Sequence, residues 1–117
     1  MKVSPTENTL KRLRKDGYLC AVVEKWNHHV KIRQDLFGFI DVLGLGDGEK
    51  LAIQATTKSN ISTRIKKIIE SNHTVDVLNA GWRIQAWGWF KVKNRWQVKI
   101  TEIRFGEEGR IEFESWQ

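Results

Sequence analysis

Asp41 stands inside the apolar run Phe39-Ile40-Asp41-Val42-Leu43, where a carboxylate that loses its water must be compensated. The stretch around it, Arg33 to Lys58, reads as two short strands folded on each other, Gly38 to Leu45 and Lys50 to Thr57. A Gly-Asp-Gly-Glu turn joins them, its glycines supplying the positive-φ positions of a hairpin. Asp41 and Gln54 can then face the same side, and a period of two sets Gln54, Thr56 and Lys58 on one face of the second strand. One carboxylate, one amide oxygen, a hydroxyl and an ammonium would meet there, and Asp35 or Glu24 could add a second carboxylate. Asp35 ranks higher because five residues separate it from Asp41. Acidic and neutral oxygen ligands on a rigid element, with a cation nearby, are what metal-assisted phosphodiester hydrolysis needs, and the expected ion is Mg²⁺ or Mn²⁺.

Each residue also has a plainer role. Asp41 could be a buried aspartate satisfied by backbone donors, Gln54 and Thr56 polar residues of a half-exposed strand, and Asp35 a turn or cap residue.

The rest of the 117-residue chain has to position this stretch, and its length allows one domain, residues 1–117, with a single core. Lys and Arg outnumber Asp and Glu by 20 to 14, and there are six Trp. Cations and aromatic rings suit a polyanion, through counterion release and base stacking, although the same composition also fits a charged surface over a Trp-rich core. Cys20 is the only cysteine, which excludes an intrachain disulfide and a sulfur-based zinc site. The segment Met1 to Asn8 has no signal-peptide core, and no apolar run reaches membrane-spanning length. Both predict a cytoplasmic protein with no membrane partner.

Taken in order, Ser4 or Thr6 can cap a first helix that carries Leu10, Leu13 and a basic Lys-Arg-Leu-Arg-Lys segment and ends at Gly17. Tyr18 to Trp26 reads as a strand and Asn27-His28-His29 as a loop. Neighbouring histidines in an extended chain point to opposite sides, so the pair is not expected to share an ion; His29 is a candidate for contacting substrate. After the central hairpin, Ser59 or Asn60 caps a helix through about Ser71, with Ile61, Ile65, Ile68 and Ile69 as its apolar stripe. One more helical turn lies between His73 and Ala80. A strand follows with Ile84, Ala86 and Phe90 on one side and Arg83, Gln85, Trp87 and Trp89 on the other. Trp87 is expected in the core, and Trp89 either there or on a binding groove. Trp96, Val98 and Ile100 mark the next strand, and a last hairpin brings Ile111 and Phe113 to the sheet edge.

A basic helix ending in Asp16-Gly17-Tyr18, an apolar strand, Gly38-Phe39-Ile40-Asp41, and after a hairpin a strand bearing Gln54-Ala55-Thr56 and a helix together resemble the PD-(D/E)XK nuclease superfamily. The likeness is closest to its small Holliday-junction-resolvase-like and phage-encoded members, over roughly residues 7 to 90, which implies the cytoplasm of a bacterial or phage-infected host cell. It implies an α/β, restriction-endonuclease-like fold, a central mixed β-sheet flanked by helices. In that family the metal-binding aspartate falls on Asp41, the glutamate on Gln54, the backbone-carbonyl ligand on Ala55 and the catalytic lysine on Thr56. A hydroxyl has no positive charge with which to orient a nucleophile, so the cation has to come from elsewhere. Lys58 is the nearest replacement, with Arg64 and Lys67 of the following helix as others. Glutamine in place of glutamate weakens the hold on a hard cation, and Asp35 and Glu24 would compensate.

The joint placement of these residues in family order favours a site. The expected activity is that of a Mg²⁺- or Mn²⁺-dependent endodeoxyribonuclease acting on DNA, including branched or structured DNA. Asp41, Gln54, Lys58 and Thr56 are its catalytic candidates, and Asp41, Gln54, Ala55, Asp35 and Glu24 hold its metal. Arg12, Arg14, Lys15, Arg33, Arg64 and Lys67 contact the nucleic acid, and a homodimer is implied by relatives in which two sites meet two strands. The alternatives are a nucleic-acid-binding module of the same fold that has lost its active site, and a subunit that docks a protein through exposed Trp residues.

Overall fold

A computed structural model describes residues 3–117. The first helix, α1 (Pro5–Lys15), opens on Ser4, whose hydroxyl accepts from the Glu7 amide, and has proline in its first turn where no amide partner is lost. Its apolar face is thin but well used. Leu13 is buried between the helix and the sheet, worth roughly 1.5–3 kcal/mol of transfer free energy. Thr9, also buried, accepts a 2.9 Å hydrogen bond from the Trp89 indole.

Six strands form one sheet in the order β1 (Leu19–Val22), β4 (Val42–Gly46), β5 (Glu49–Thr57), β6 (Arg83–Val92), β7 (Arg95–Phe105) and β8 (Ile111–Trp116). Neighbours are antiparallel except β5 and β6, whose parallel pairing requires the crossover made by α2 (Ile61–Glu70) and α3 (Thr74–Asn79). The sheet is therefore mixed, in an α/β domain. A separate two-stranded ribbon, β2 (Lys25–Asn27) and β3 (Ile32–Gln34), stands between β1 and β4 in the chain. Among the described residues, no helix is long and apolar enough to cross a membrane.

Period-two alternation divides the core into two halves. Val42, Leu51, Ile53, Trp87, Trp89 and Val98 meet Leu13 of α1 on one face. On the other, Ala52, Ile84, Ala86 and Ile103 meet Ile61, Ile68 and Val77 of the crossover helices. Trp89, like Trp87, thus belongs to the core and not to a binding groove. Ile69 leaves the expected stripe and is 37% exposed, because α2 buries only the side that carries Ile61 and Ile68.

Two expected strands change. The run from Tyr18 to Trp26 is broken at Val23-Glu24: β1 pairs with β4, whereas Lys25 onward turns out to pair with β3. The strand expected from Gly38 begins only at Val42, since Phe37 and Gly38 both take positive φ (54° and 84°) and a Leu36–Ile40 bridge closes a turn ahead of it. Asp41 is thus the residue at which the chain enters the sheet. In the hairpin turn after β4, the left-handed positions are Asp47 and Gly48, with Gly46 still paired to Glu49.

The parallel pair β5–β6 lies close under the crossover. A Cβ on Gly88 would sit 2.9 Å from Ile61 Cδ1 and 3.1 Å from the Lys58 Cα. Gly88→Ala is expected to destabilise the protein by about 1–3 kcal/mol through overpacking, read as a lower urea midpoint with an unchanged slope.

Candidate metal centre

Asp41 is 4% exposed, and its carboxylate is held by the adjoining strand. The Ala55 amide donates to both of its oxygens, at 3.0 and 3.2 Å, and the Gln54 side-chain amide donates to Oδ2 at 2.9 Å. The main chain of Asp41 is fixed as well, its N–H donating to Ile53 and its carbonyl accepting from Val23. That last bond sets Glu24, the residue after Val23, beside Asp41 although 17 positions separate them in the chain. Asp35 arrives by a different route. The turn from Asp35 to Gly38 and the Leu36–Ile40 bridge fold the chain so that five intervening residues span almost no distance.

Glu24, Asp35 and Asp41 consequently place one carboxylate oxygen each within 4.8 Å of one another, a cluster that could hold a metal ion. Two of the three carry a cation of their own. Arg33 donates to Glu24 Oε1 at 2.7 Å, and Lys67, reaching over from α2, donates to Asp35 Oδ2 at 3.2 Å. Three carboxylates face two cations, and the uncompensated charge falls on Asp41, the most buried. Burial pushes its carboxyl up to about 7, with Asp35 and Glu24 adding to the rise and the Ala55 and Gln54 hydrogen bonds opposing it.

Gln54 is 3% exposed, and having turned its NH₂ to Asp41 it leaves Oε1 buried with no hydrogen-bond partner among the described residues. An orphaned amide oxygen next to an under-compensated carboxylate is what an oxygen-seeking cation would relieve. The donor set, three carboxylates with no nitrogen or sulfur among them, fits a hard divalent ion.

The other expected site residues are placed as follows. Thr56 is buried on the same face of β5 as Gln54. Lys58 lies beyond the strand: β5 ends at Thr57, a short 3₁₀ turn begins, and the ammonium lies over the Phe90 ring at 4.4 Å. It therefore does not replace the missing lysine at the cluster. Ala55 meets Asp41 through its amide and not through the carbonyl assigned to the ion. Arg64 is half-buried on α2. Arg12 is paired with Asp16, and it, Arg14 and Lys15 are exposed on α1, which packs against the opposite face of the sheet from Gln54 and Thr56. His29 is exposed, its amide tied to the Asn27 side chain. Lys67 is the lysine the structure brings to the cluster, beside Arg33. The sequence offers it as an alternative to Lys58 through its place on α2 off the apolar stripe, which Lys66 shares.

No protein-family model, curated protein or solved structure matches this chain.

The raised Asp41 carboxyl has a definite effect on stability. In the unfolded chain it titrates near 3.8 and in the folded one near 7, so the native state holds the proton longer. Folding is unpenalised below the lower value, loses stability as pH rises between the two, and levels off above about 7 with a loss on the order of 4 kcal/mol. Asp41→Asn keeps an acceptor for the Ala55 amide and removes the charge. Measured in chelator by denaturant unfolding, its advantage over the wild type should be absent at about pH 4, grow through about pH 7 and then remain constant. An advantage that does not vary with pH would show that Asp41 is not the strained group.

Proposed function

We propose that this protein is a Mg²⁺- or Mn²⁺-dependent nuclease that hydrolyses phosphodiester bonds in DNA, on a restriction-endonuclease-like fold. The observation that carries the proposal is the convergence of the Asp41, Asp35 and Glu24 carboxylates within 4.8 Å of one another, with Gln54, whose buried Oε1 is unpartnered among the described residues, bonded to Asp41 through its NH₂. The element order favours the same reading: a helix, three antiparallel strands of the main sheet, a helix, and a strand parallel to the third. The aspartate enters the second of those strands, and Gln54-Ala55-Thr56 lies on the third.

Asp41, Asp35, Glu24 and Gln54 would hold the ion. When bound, it supplies positive charge to the scissile phosphate and acidifies water for the attack. The chain's own residues have complementary tasks. Ala55 and Gln54 hold the Asp41 carboxylate in one orientation against β5, so the oxygens do not have to reorganise. Lys67 uses one hydrogen bond on Asp35 and has two further protons for a phosphate oxygen or for water. It takes the place left by Thr56, and it comes from the crossover helix because the β5 position is too buried for an ammonium.

A binding module of the same fold is the second reading. It is favoured by the neutral pair Gln54 and Thr56, which lowers the negative charge available to a metal.

The test is cleavage of branched, single-stranded and duplex DNA with Mg²⁺ and with Mn²⁺. Asp41→Ala should abolish cutting. Lys67→Met should reduce it by about 10²–10³ with Lys67→Arg recovering part, and Lys58→Ala should stay within about twofold of the wild type. Tight DNA binding with no metal-dependent cutting of any substrate would select the binding module. Full activity in folded Lys67→Met would remove Lys67 from the mechanism.

A further inference from the structure

The ribbon formed by β2 and β3 is rooted at both ends in the acidic cluster: Glu24 immediately precedes it and Asp35 immediately follows it. Between those two carboxylates lie Lys25, Trp26, Asn27, His28, His29, Val30, Lys31, Ile32, Arg33 and Gln34, three permanent cations, two histidines and no acidic residue. A ten-residue ribbon that served only to connect β1 to β4 would bury its apolar residues. Here Trp26, Val30 and Ile32 are 46%, 57% and 51% exposed.

The ribbon is nevertheless built to keep its shape. The Asn27 carboxamide accepts from the amides of His29 and Val30, and its NH₂ donates to Gln34 across the pair at 3.2 Å. Lys31 takes the positive φ that closes the turn. Trp26 is directly opposite Arg33, and the two share a shallow cleft with Glu24 and Val22. Alternation therefore puts the indole on the same ribbon face as the Glu24 carboxylate. An exposed indole, with His28 edge-on at 6.4 Å and a guanidinium across the strand, makes a flat aromatic platform bordered by positive charge.

We propose that this ribbon is a substrate arm for a single-stranded nucleic-acid segment, with Trp26 stacking an unpaired base and Lys25, Lys31 and Arg33 holding the phosphates that lead to the acidic cluster. Charge selects a polyanion as the occupant, since Lys25 and Lys31, neither of them ion-paired among the described residues, stand beside the Arg33–Glu24 pair at an acidic site that could not itself attract one. The indole selects unpaired bases over duplex, because a stacked duplex offers no base face to an exposed ring. This deepens the nuclease reading by naming the form of its substrate, yet the binding it describes does not require cleavage.

The experiment is fluorescence anisotropy of the full chain with a labelled single-stranded oligonucleotide and with the same sequence as a blunt duplex, in EDTA so that nothing is cut. Single-strand binding should be the tighter. Trp26→Ala should weaken it about tenfold and Trp26→Phe much less, with unchanged thermal unfolding in both since the side chain lies outside the core. Lys25→Ser combined with Lys31→Ser should reduce the slope of log affinity against log salt by about 1.4. Trp116→Ala, on the strand at the opposite edge of the sheet, should change nothing. The proposal is overturned by equal or tighter binding of the duplex, by undiminished affinity in Trp26→Ala, by an equal loss in Trp116→Ala, or by a wild type with no measurable affinity. Cleavage assayed separately with Mg²⁺ or Mn²⁺ distinguishes the two failures: binding through Trp26 without cutting leaves the arm standing and removes the nuclease, and cutting without a Trp26 effect does the reverse.

Discussion

The carboxylate of Asp41, clamped by the Ala55 amide and the Gln54 side chain, is the constraint to which the surrounding structure answers. It sits where the chain enters the sheet, so its main chain is fixed by β5 on one side and by Val23 on the other while its side chain bonds β5 again. Those bonds leave no freedom to withdraw the group to water. An aspartate buried without a cation of its own is costly in a folded protein, and the raised carboxyl, at about 7, expresses that cost. The cluster gathers its cations, Arg33 and Lys67, onto the two outer carboxylates and leaves the inner one short.

That arrangement gives the scaffold its meaning. A mixed sheet with helices on both faces can hold a charged group near its middle only where two elements converge and one end stays open. The crossover between β5 and β6 provides the place. The opposite face is closed by α1, with Leu13 and the Trp89–Thr9 bond sealing it. The acidic cluster accordingly lies on the crossover side. The basic residues of α1 share none of its contacts, whereas the cations of β3 and α2 do.

Much of the site was readable because it lies within one hairpin. The spacing from Asp41 to Gln54 and Thr56 depends only on a period of two and a tight turn, both local properties of a chain. The first helix with its Ser4 cap, the two crossover helices and the core placement of Trp87 were legible for the same reason: capping residues and apolar spacing act over a few positions. The ribbon Lys25–Gln34 was not legible, because its exposed Trp26, Val30 and Ile32 give an apolar pattern without a face to bury. Lys58 misled because strand periodicity was extended one residue beyond the point where the strand gives way to a 3₁₀ turn.

By itself, then, the sequence determined the helices and most of the strands, the presence of a carboxylate in need of compensation, and an oxygen-rich set of candidates beside it. Local sterics and periodicity suffice for these. Only the tertiary structure decided that Glu24 and Asp35 would both join Asp41, that Gln54 would leave Oε1 unpaired, and that Lys67 and not Lys58 would supply the cation. Those outcomes depend on where a turn folds back, where a strand stops and which side of a helix meets the sheet. Each is set by packing between segments far apart in the chain, where residue spacing carries no information about distance.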